Sequence, residues 1–191
     1  MRLFCIRHGE TEWSLNGRHT GTTDVPLTEN GRRLAKALKP VLARECFEQV
    51  LTSPMQRARE TCALAGLSEK ADIDPDLVEW NYGAFEGLTP EEIARIQPGW
   101  LIFHDGCPGG ETPEQVGQRV DRVIDRARAR KGDTVVFAHG HVLRVLAARW
   151  VEMPPTGGMH FLLGTGTLCV LAHYHDAPAI KVWNGPLAIA S

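Results

Sequence analysis

Residues 3–11 of the chain read Leu3-Phe4-Cys5-Ile6-Arg7-His8-Gly9-Glu10-Thr11. The first four residues are apolar, and a short apolar run of this kind is typical of a buried β-strand. The run ends abruptly at Arg7, His8 and Gly9, so we predict a strand that leads directly into a polar loop. Because functional residues are often carried on loops that a rigid element positions, this loop is the first candidate for a functional site.

Further along the chain, apolar runs alternate with amphipathic segments. Strands are predicted over residues 49–52, 134–138, 161–163 and 168–173. Helices are predicted from Thr28 to about residue 44, from the Ser53-Pro54 pair to Gly66, from capping boxes at Thr89 and Thr112, and over residues 143–151. This alternation predicts an α/β fold, a three-layer sandwich with a central, mostly parallel β-sheet flanked by helices. We expect one domain over residues 1–191, since no repeat, low-complexity tract or long linker divides the chain.

The composition is ordinary for a globular protein, with 43% hydrophobic and 23% charged residues and a net charge of -2. That balance gives no support for a nucleic-acid or membrane partner. The five cysteines are scattered and form no C-x-x-C pair, which argues for free thiols in a reducing compartment. The N-terminal apolar run is too short for a signal peptide, and no segment approaches the ~20 apolar residues of a membrane span. We therefore expect a cytoplasmic location.

Three of the predicted strands end in, or just before, residues that can carry positive charge. Arg7 and His8 follow the first strand, Arg57 lies one helical turn beyond Ser53, and His139 follows the strand over residues 134–138. In parallel sheets, ligands bind outside the carboxyl ends of the strands. If these strands are neighbours, two arginines and two histidines converge on one spot, and the natural ligand of such a spot is phosphate.

These residue types suit phosphoryl transfer. A neutral imidazole at His8 can attack phosphorus in line if its other nitrogen is held by an acceptor. Arg7 can hold two phosphate oxygens bidentately, and Arg57 sits in the first turn of a helix, where anions are favoured. A protonated His139 can complete the cage around the phosphoryl group.

Glu79 is the candidate proton donor. Large apolar side chains flank it in the sequence and are expected to favour its protonated form, as general acid catalysis requires. Taken singly, each candidate has an ordinary structural explanation: a core histidine, a solvated surface arginine or an exposed loop glutamate. The combination, rather than any one residue, indicates chemistry.

Four blocks occur in order along the chain: Arg7-His8-Gly9, Ser53-Pro54-x-x-Arg57-Ala58, Glu79-x-x-Tyr82-Gly83 and His139-Gly140. Together they resemble the histidine phosphatase superfamily, which also contains the cofactor-dependent phosphoglycerate mutases. The resemblance implies a phosphoglycerate mutase-like fold and metal-independent hydrolysis of a phosphate monoester through a phosphohistidine. It implies catalytic roles for His8 as nucleophile, for Glu79 as proton donor, and for Arg7, Arg57 and His139 as the phosphate pocket.

Several positions differ from the mutase pattern. Ser14 stands where mutases usually have asparagine, Trp80 where they have arginine, and Pro90 where they have lysine. A mutase must hold a second anionic group while its intermediate turns round, and each charged hydrogen bond contributes ~1.5–3 kcal/mol. The loss of such partners favours a phosphatase. The alternatives are mutase-type phosphoryl transfer and a catalytically weak phosphate-binding relative.

Further blocks are similar to the phosphatase branch that includes acid phosphatases and the fungal sedoheptulose-1,7-bisphosphatases. They are Glu79-Trp80-x-Tyr82-Gly83, Asp105-Gly106-Cys107, Gly110-Glu111-Thr112 and Phe137-Ala138-His139-Gly140-His141-x-Leu143-Arg144. This similarity implies a sugar phosphate or bisphosphate as substrate, with Trp80 and Tyr82 against the faces of the sugar. The substrate-binding residues that it implies are Ser14, Thr20, Gly21, Tyr82, Trp80, His104, Gly140 and His141.

Two other classes of protein compete with this interpretation. A metallohydrolase could use His139-x-His141 and His173-x-His175, but no cluster of Asp and His at ligand spacing accompanies them, so we expect no metal and no cofactor. A pure phosphate-binding protein would gain nothing from Glu79 beside a dianion, because like charges repel. The expected partner is a small-molecule phosphate monoester. A homo-oligomer is possible, with residues 161–163 as an interface strand or as core.

Overall fold

The structure is a computed structural model that describes residues 1–185. The strands are β1 (Leu3–Arg7), β2 (Phe47–Thr52), β3 (Ala71–Ile73), β4 (Asp133–Ala138), β5 (Leu168–Tyr174) and β6 (Ala177–Gly185). The α-helices are α1 (Glu12–Leu15), α2 (Glu29–Leu42), α3 (Gln56–Leu64), α4 (Pro90–Ile96), α5 (Ile102–Asp105), α6 (Pro113–Arg128) and α7 (Gly140–Trp150). Short 3₁₀ helices cover Ser68–Lys70, Pro75–Leu77, Gly83–Phe85 and Pro155–His160. None of the described helices is long and apolar enough to cross a membrane.

The strands form one sheet in the order β3-β2-β4-β1-β5-β6. The first four of these strands run parallel to one another, whereas β5 and β6 are antiparallel and close one edge. The predicted α/β fold with a mostly parallel central sheet is confirmed. Because β2, β4 and β1 are consecutive neighbours, their carboxyl ends bring Ser53, His139 and Arg7 to the same edge of the sheet.

Helices cover both faces because successive strand side chains point to opposite sides of the sheet. On β1, Leu3 and Cys5 face a core that includes α6 and α7, whereas Phe4 and Ile6 face a core that includes α2 and α3. The strand ends are therefore held between two packed layers, which makes the edge of the sheet a rigid platform for side chains.

One segment differs from the sequence expectation. Residues 161–163, expected as a strand, form no regular element. The carbonyl of Leu163 accepts a hydrogen bond from Arg7 instead, and Phe161 packs against Trp183 with ring centroids 5.3 Å apart. The sheet is completed by β6, whose side chains are mostly half-buried or exposed and gave little apolar signal.

The loop after β1 is fixed by hydrogen bonds from three parts of the chain. The backbone N–H of His8 donates to Ala138 O at 3.0 Å, and that of Gly9 donates to Thr61 Oγ1 at 3.0 Å. The N–H of Gly166 donates to the carbonyl of His8 at 2.9 Å. The loop backbone is thus held on both sides of the His8 side chain.

Gly31, in the first turn of α2, packs against the same loop. A Cβ at this position would overlap the carbonyl of Glu10 and lie 2.8 Å from its nitrogen. Alanine would gain ~0.5–1 kcal/mol of helix propensity, but overpacking costs ~1–3 kcal/mol and the obstructing atoms here are backbone. We expect Gly31→Ala to lower the free energy of unfolding in urea by at least ~1 kcal/mol.

Gly164→Ala is the matched control for this substitution, because its Cβ would come no closer than 3.4 Å to other side chains. Its free energy of unfolding should change by less than ~0.5 kcal/mol. A Gly31→Ala protein as stable as the wild type would show that the loop after β1 is not tightly held.

Candidate active site

A cavity of about 240 Å³ lies at the carboxyl ends of β1 and β4, beside the first turn of α7. Its lining residues are Arg7, His8, Ser14, Gly17, Arg18, His19, Thr20, Glu79, Tyr82, Pro90, Gly140, His141, Arg144 and Leu163. Three of the predicted catalytic residues, Arg7, His8 and Glu79, are among them. Arg57 and His139 are completely buried and lie outside this lining, although the His139 ring centroid is 5.1 Å from that of His8.

His8 is held through one ring nitrogen. Its Nδ1 lies 2.7 Å from Gly9 O, and because a carbonyl oxygen can only accept, Nδ1 carries the proton and Nε2 keeps its lone pair. Burial lowers the pKa of His8 well below the usual histidine range, and the charges of Arg7 and Arg57 add to this effect. The geometry therefore matches the neutral, oriented imidazole that a nucleophile requires.

His139 is the opposite tautomer. The Nε–H of Arg57 donates to His139 Nδ1 at 3.1 Å, and His139 Nε2 lies 2.7 Å from Ser53 Oγ. Since a guanidinium can only donate, Nδ1 is an acceptor and the ring is neutral. Burial lowers the pKa of His139 well below its usual range, and the charge of Arg57 adds to the effect. The expectation of a protonated His139 is therefore wrong.

The hydroxyl of Ser53 is also used differently from the expectation. The sequence predicts a helix that begins at the Ser53-Pro54 pair, but α3 begins at Gln56 and its N-cap is Met55, which makes no side-chain capping bond. The Ser53 hydroxyl instead fixes the ring of His139. A residue at the end of β2 thus orients a residue at the end of β4.

Arg57 ties the loop over residues 20–23 to the sheet. Its Nη1 donates to Thr23 O at 2.9 Å, and its Nη2 donates to Thr20 O at 3.1 Å and to Gly21 O at 2.9 Å. With the bond to the imidazole, four of its five N–H groups are used by the protein. Arg57 therefore contributes a completely buried positive charge beside His139. Its contact with a phosphoryl group stays a prediction.

Arg7 supplies positive charge at the cavity surface. Its Nη1 donates to Leu163 O, and its Nε is buried without a hydrogen-bond partner among residues 1–185. Gly140 lets the guanidinium of Arg7 approach the first turn of α7. A Cβ at position 140 would lie only 3.3 Å from Arg7 Cζ and would crowd the guanidinium. A buried donor without a partner carries a free-energy cost, and a bound anion would relieve it.

The carboxylate of Glu79 accepts three backbone hydrogen bonds. Oε1 accepts from the N–H groups of Trp80 and Val142, both at 2.9 Å, and Oε2 accepts from that of His141 at 3.0 Å. The last two donors belong to the first turn of α7, where the helix dipole is positive. The sequence suggested apolar surroundings for the Glu79 carboxylate. In the structure its two oxygens instead contact backbone N–H donors.

Arg119 holds the segment that carries Glu79, and the sequence reasoning missed it. This buried arginine donates to the carbonyls of Val78 at 2.7 Å and Glu79 at 3.2 Å, and it pairs with Glu111 at 2.7 Å. The sequence did contain a signal for a buried arginine, because Arg119 falls between Val116 and Val120 on the apolar side of α6. An arginine on the buried face of an amphipathic helix needs internal acceptors.

Five of the predicted substrate-binding residues line the cavity: Ser14, Thr20, Tyr82, Gly140 and His141. The Tyr82 hydroxyl lies 2.6 Å from His141 Nδ1, so these two side chains form one polar unit in the wall. The Ser14 hydroxyl is used in the capping box of α1, where it accepts from the N–H of Thr11 at 2.9 Å.

Three of the predicted substrate-binding residues do not line the cavity. Trp80 has no exposed surface, and its indole N–H donates to Glu111 O at 2.9 Å, so it cannot lie against a sugar. Gly21 is required by packing, because a Cβ there would lie 2.6 Å from Trp80 O. His104 is exposed on α5 and lies outside this lining.

Six lining residues were not predicted as site residues: Gly17, Arg18, His19, Pro90, Arg144 and Leu163. Arg18 and His19 precede Thr20 in a loop whose place against Tyr82 depends on tertiary packing. Arg144 follows His141 by one helical turn on α7, so the position of His141 already indicated the face on which Arg144 would lie.

Residues 3–186 match the family described as the histidine phosphatase superfamily (branch 1). The chain belongs to this superfamily. It is 37% identical over 185 residues to an acid phosphatase of Mycobacterium tuberculosis, covering 95% of this chain and 91% of that protein. It is 37% identical over 181 residues to a sedoheptulose 1,7-bisphosphatase of Saccharomyces cerevisiae, covering 78% and 67% respectively. A solved structure of an open reading frame product from Mycobacterium tuberculosis matches with a TM-score of 0.92 at 37% identity, covering 96% of each chain.

Membership of the histidine phosphatase superfamily confirms the resemblance carried by the four ordered sequence blocks. The two named relatives are phosphatases, and both are similar over most of this chain. Arg7, His8 and Glu79, which belong to these blocks, lie together in the lining of one cavity.

The histidine pairs that suggested a metal site are separated in this superfamily member. Among residues 1–185, no group of three or more His, Cys, Asp or Glu side chains is placed to hold a metal ion. His139 contacts Ser53, whereas His141 contacts Tyr82. His173 and His175 are exposed, as expected for solvated residues.

Proposed function

We propose that the chain hydrolyses phosphate monoesters without a metal ion, through a phosphoryl group carried on His8 Nε2. The observation that carries the proposal is the His8 imidazole, which is neutral, is held through Nδ1 by Gly9 O, and belongs to the cavity lining together with Arg7 and Glu79. Phosphatase relatives of similar length support the same reaction class.

In the first step, the lone pair of His8 Nε2 attacks phosphorus and the bond from phosphorus to the alcohol oxygen breaks. Protonated Glu79 gives its proton to the departing alkoxide, so that an alcohol leaves and phosphohistidine remains. In the second step, the Glu79 carboxylate takes a proton from water, the water oxygen attacks phosphorus, and the bond to Nε2 breaks. Phosphate leaves, and both residues return to their starting forms.

Charge on the phosphoryl oxygens is stabilised by fixed groups. Arg7 lines the cavity and has a buried Nε–H without a partner among residues 1–185, and Arg57, which is bonded to His139, adds a completely buried charge. A cation in a region that excludes water acts more strongly than one in solvent. In this scheme neutral His139 is a positioning residue, since it connects Arg57 to Ser53.

We assign sugar phosphates or bisphosphates as the substrate class and hydrolysis rather than mutase-type transfer. The yeast relative with a sugar bisphosphate in its name supports the substrate class. Pro90, where mutases carry a lysine, lines the cavity and offers no charge to a second anionic group. The acceptor lone pairs that Ser14 and Thr20 keep beyond their contacts with Thr11 and Arg18 suit the hydroxyl groups of a sugar.

We expect activity to persist on the acidic side of neutrality. An ordinary histidine becomes charged as the pH falls through about 6.5, but the lowered pKa of His8 keeps its lone pair available below that value. The measurement is kcat/KM from about pH 4.5 to about pH 8.5 with a nitrophenyl phosphate, whose leaving group departs without a proton. An acid limb centred near pH 6.5 would contradict the neutral state of His8.

The proposal is tested by phosphate release in excess chelator from an aryl phosphate, 3-phosphoglycerate, and sugar mono- and bisphosphates. We expect release to persist under chelation and a sugar ester to be the best natural substrate. Activity lost to the chelator would indicate a metallohydrolase. Conversion of 3-phosphoglycerate to its isomer without phosphate release would indicate a mutase, and no reaction at all would indicate a phosphate-binding relative.

A further inference from the structure

A second cavity, of about 340 Å³, adjoins the catalytic one. The two cavities share four lining residues: His19, Pro90, His141 and Arg144. These side chains form a common wall, which lies on the same side of the site as Glu79, because the backbone of His141 donates to that carboxylate. An alcohol that receives a proton from Glu79 would therefore lie close to the second cavity.

The side chains that line only the second cavity carry no ionisable group. They include Ile93, Trp100, Leu101, Ile102, Phe103 and Met159. The indole N–H of Trp100 donates to Gly106 O at 2.7 Å, so this residue has no free donor for a ligand. A concave surface of aliphatic and aromatic carbon favours apolar ligands, and its volume falls within the range of small-molecule sites.

The polar atoms of the common wall are largely engaged by the protein. Arg144 donates from Nε to Gly158 O at 3.1 Å and from Nη2 to Met159 O at 3.2 Å, and its guanidinium lies 4.5 Å from the centre of the Phe103 ring. His19 Nδ1 is 3.0 Å from Leu88 O. Because these contacts fix both side chains, the shape of the lining that the two cavities share is set before a ligand binds.

We propose that the second cavity binds an apolar ring or chain on the alcohol of the substrate while the phosphoryl group lies at His8. The proposal rests on the proposed function, since it assigns the leaving-group side of the same site. The occupant is part of the substrate because the two cavities share a wall beside Glu79. A small sugar phosphate would leave this apolar surface unfilled, so among sugar esters the preferred one carries an apolar extension.

A series of n-alkyl phosphates from ethyl to hexyl tests the cavity, because their alcohols have nearly equal intrinsic reactivity. We expect kcat/KM to rise about threefold to fourfold for each methylene that enters the cavity. Ala94 lines the cavity from the exposed side of α4, so Ala94→Phe should fill it without disturbing the core. That variant should lose the preference for hexyl phosphate over ethyl phosphate. Ala129→Phe, at an exposed alanine after α6, is the matched control and should keep the preference.

Binding of the corresponding alkylphosphonates, which cannot be hydrolysed, separates this proposal from the proposed function. Affinity measured by calorimetry should rise with chain length in the wild type and not in Ala94→Phe. Affinity that is independent of chain length, or a chain-length dependence unchanged by Ala94→Phe, would overturn the apolar subsite. Chain-length-dependent binding without any ester hydrolysis would support the subsite and overturn the proposed reaction instead.

Discussion

Replacing His8 by alanine is expected to lower phosphate release from every monoester by at least about a thousandfold. The variant loses the atom that takes the phosphoryl group, and loss of a covalent nucleophile removes most of the rate enhancement. The effect should be similar for aryl and alkyl esters, because both pass through the same phosphohistidine. The measurement is steady-state phosphate release in excess chelator.

Two further variants separate chemistry from folding in this experiment. His173→Ala removes an exposed histidine on β5 and should retain wild-type activity. His8→Asn keeps a polar side chain of intermediate size against the Gly9 carbonyl. It should be as inactive as His8→Ala, and its unfolding temperature should be similar to that of the wild type. A His8→Ala protein that retains more than about a tenth of the rate would mean that water attacks the ester directly.

Glu79→Gln is expected to slow phosphoryl transfer from an alkyl phosphate by ~10²–10⁴-fold, the usual contribution of a general acid. Transfer from a nitrophenyl phosphate should slow much less, because that leaving group departs without a proton. Since Glu79 also serves the second step, the first turnover must be measured separately, by rapid quench for the alkyl ester and by the burst of nitrophenolate for the aryl ester.

The Glu79→Gln substitution also changes the hydrogen bonds that this side chain makes with the backbone. An amide nitrogen would replace one oxygen that now accepts a backbone N–H, so one hydrogen bond at the start of α7 is lost and some stability with it. That structural effect is the same for both substrates, and their ratio therefore isolates the proton donation. Glu91→Gln, at an exposed residue of α4, should leave both rates unchanged. Equal slowing of the two esters would remove Glu79 from the role of acid.

The fold and the centre of the site could be predicted because their signals are local in sequence. The strand at the start of the chain, the capping boxes at Thr89 and Thr112, and the β-branched run before His139 each indicate an element from neighbouring residues alone. The rule that parallel strands present ligands at their carboxyl ends then brings Arg7, His8 and His139 together without any knowledge of distances.

The charge state of His139 and the surroundings of Glu79 could not be predicted, because both depend on groups distant in the chain. Arg57 reaches His139 across 82 positions of sequence, and the donors from α7 reach Glu79 across 62 and 63 positions. The apolar neighbours of Glu79 in the sequence gave the wrong expectation, since adjacent residues in an extended segment point to different sides. His104 lies outside the cavity lining because its short helix places it at the exposed surface.

The most direct test of the central claim is to capture the phosphorylated chain. Wild-type protein mixed with a phosphate ester labelled in its phosphoryl group, quenched with alkali and digested, should yield a peptide with acid-labile, alkali-stable phosphate on His8. The phosphate should be on Nε2, because Nδ1 is held by the Gly9 carbonyl. Turnover without a labelled enzyme, or label on any residue other than His8, would contradict the account.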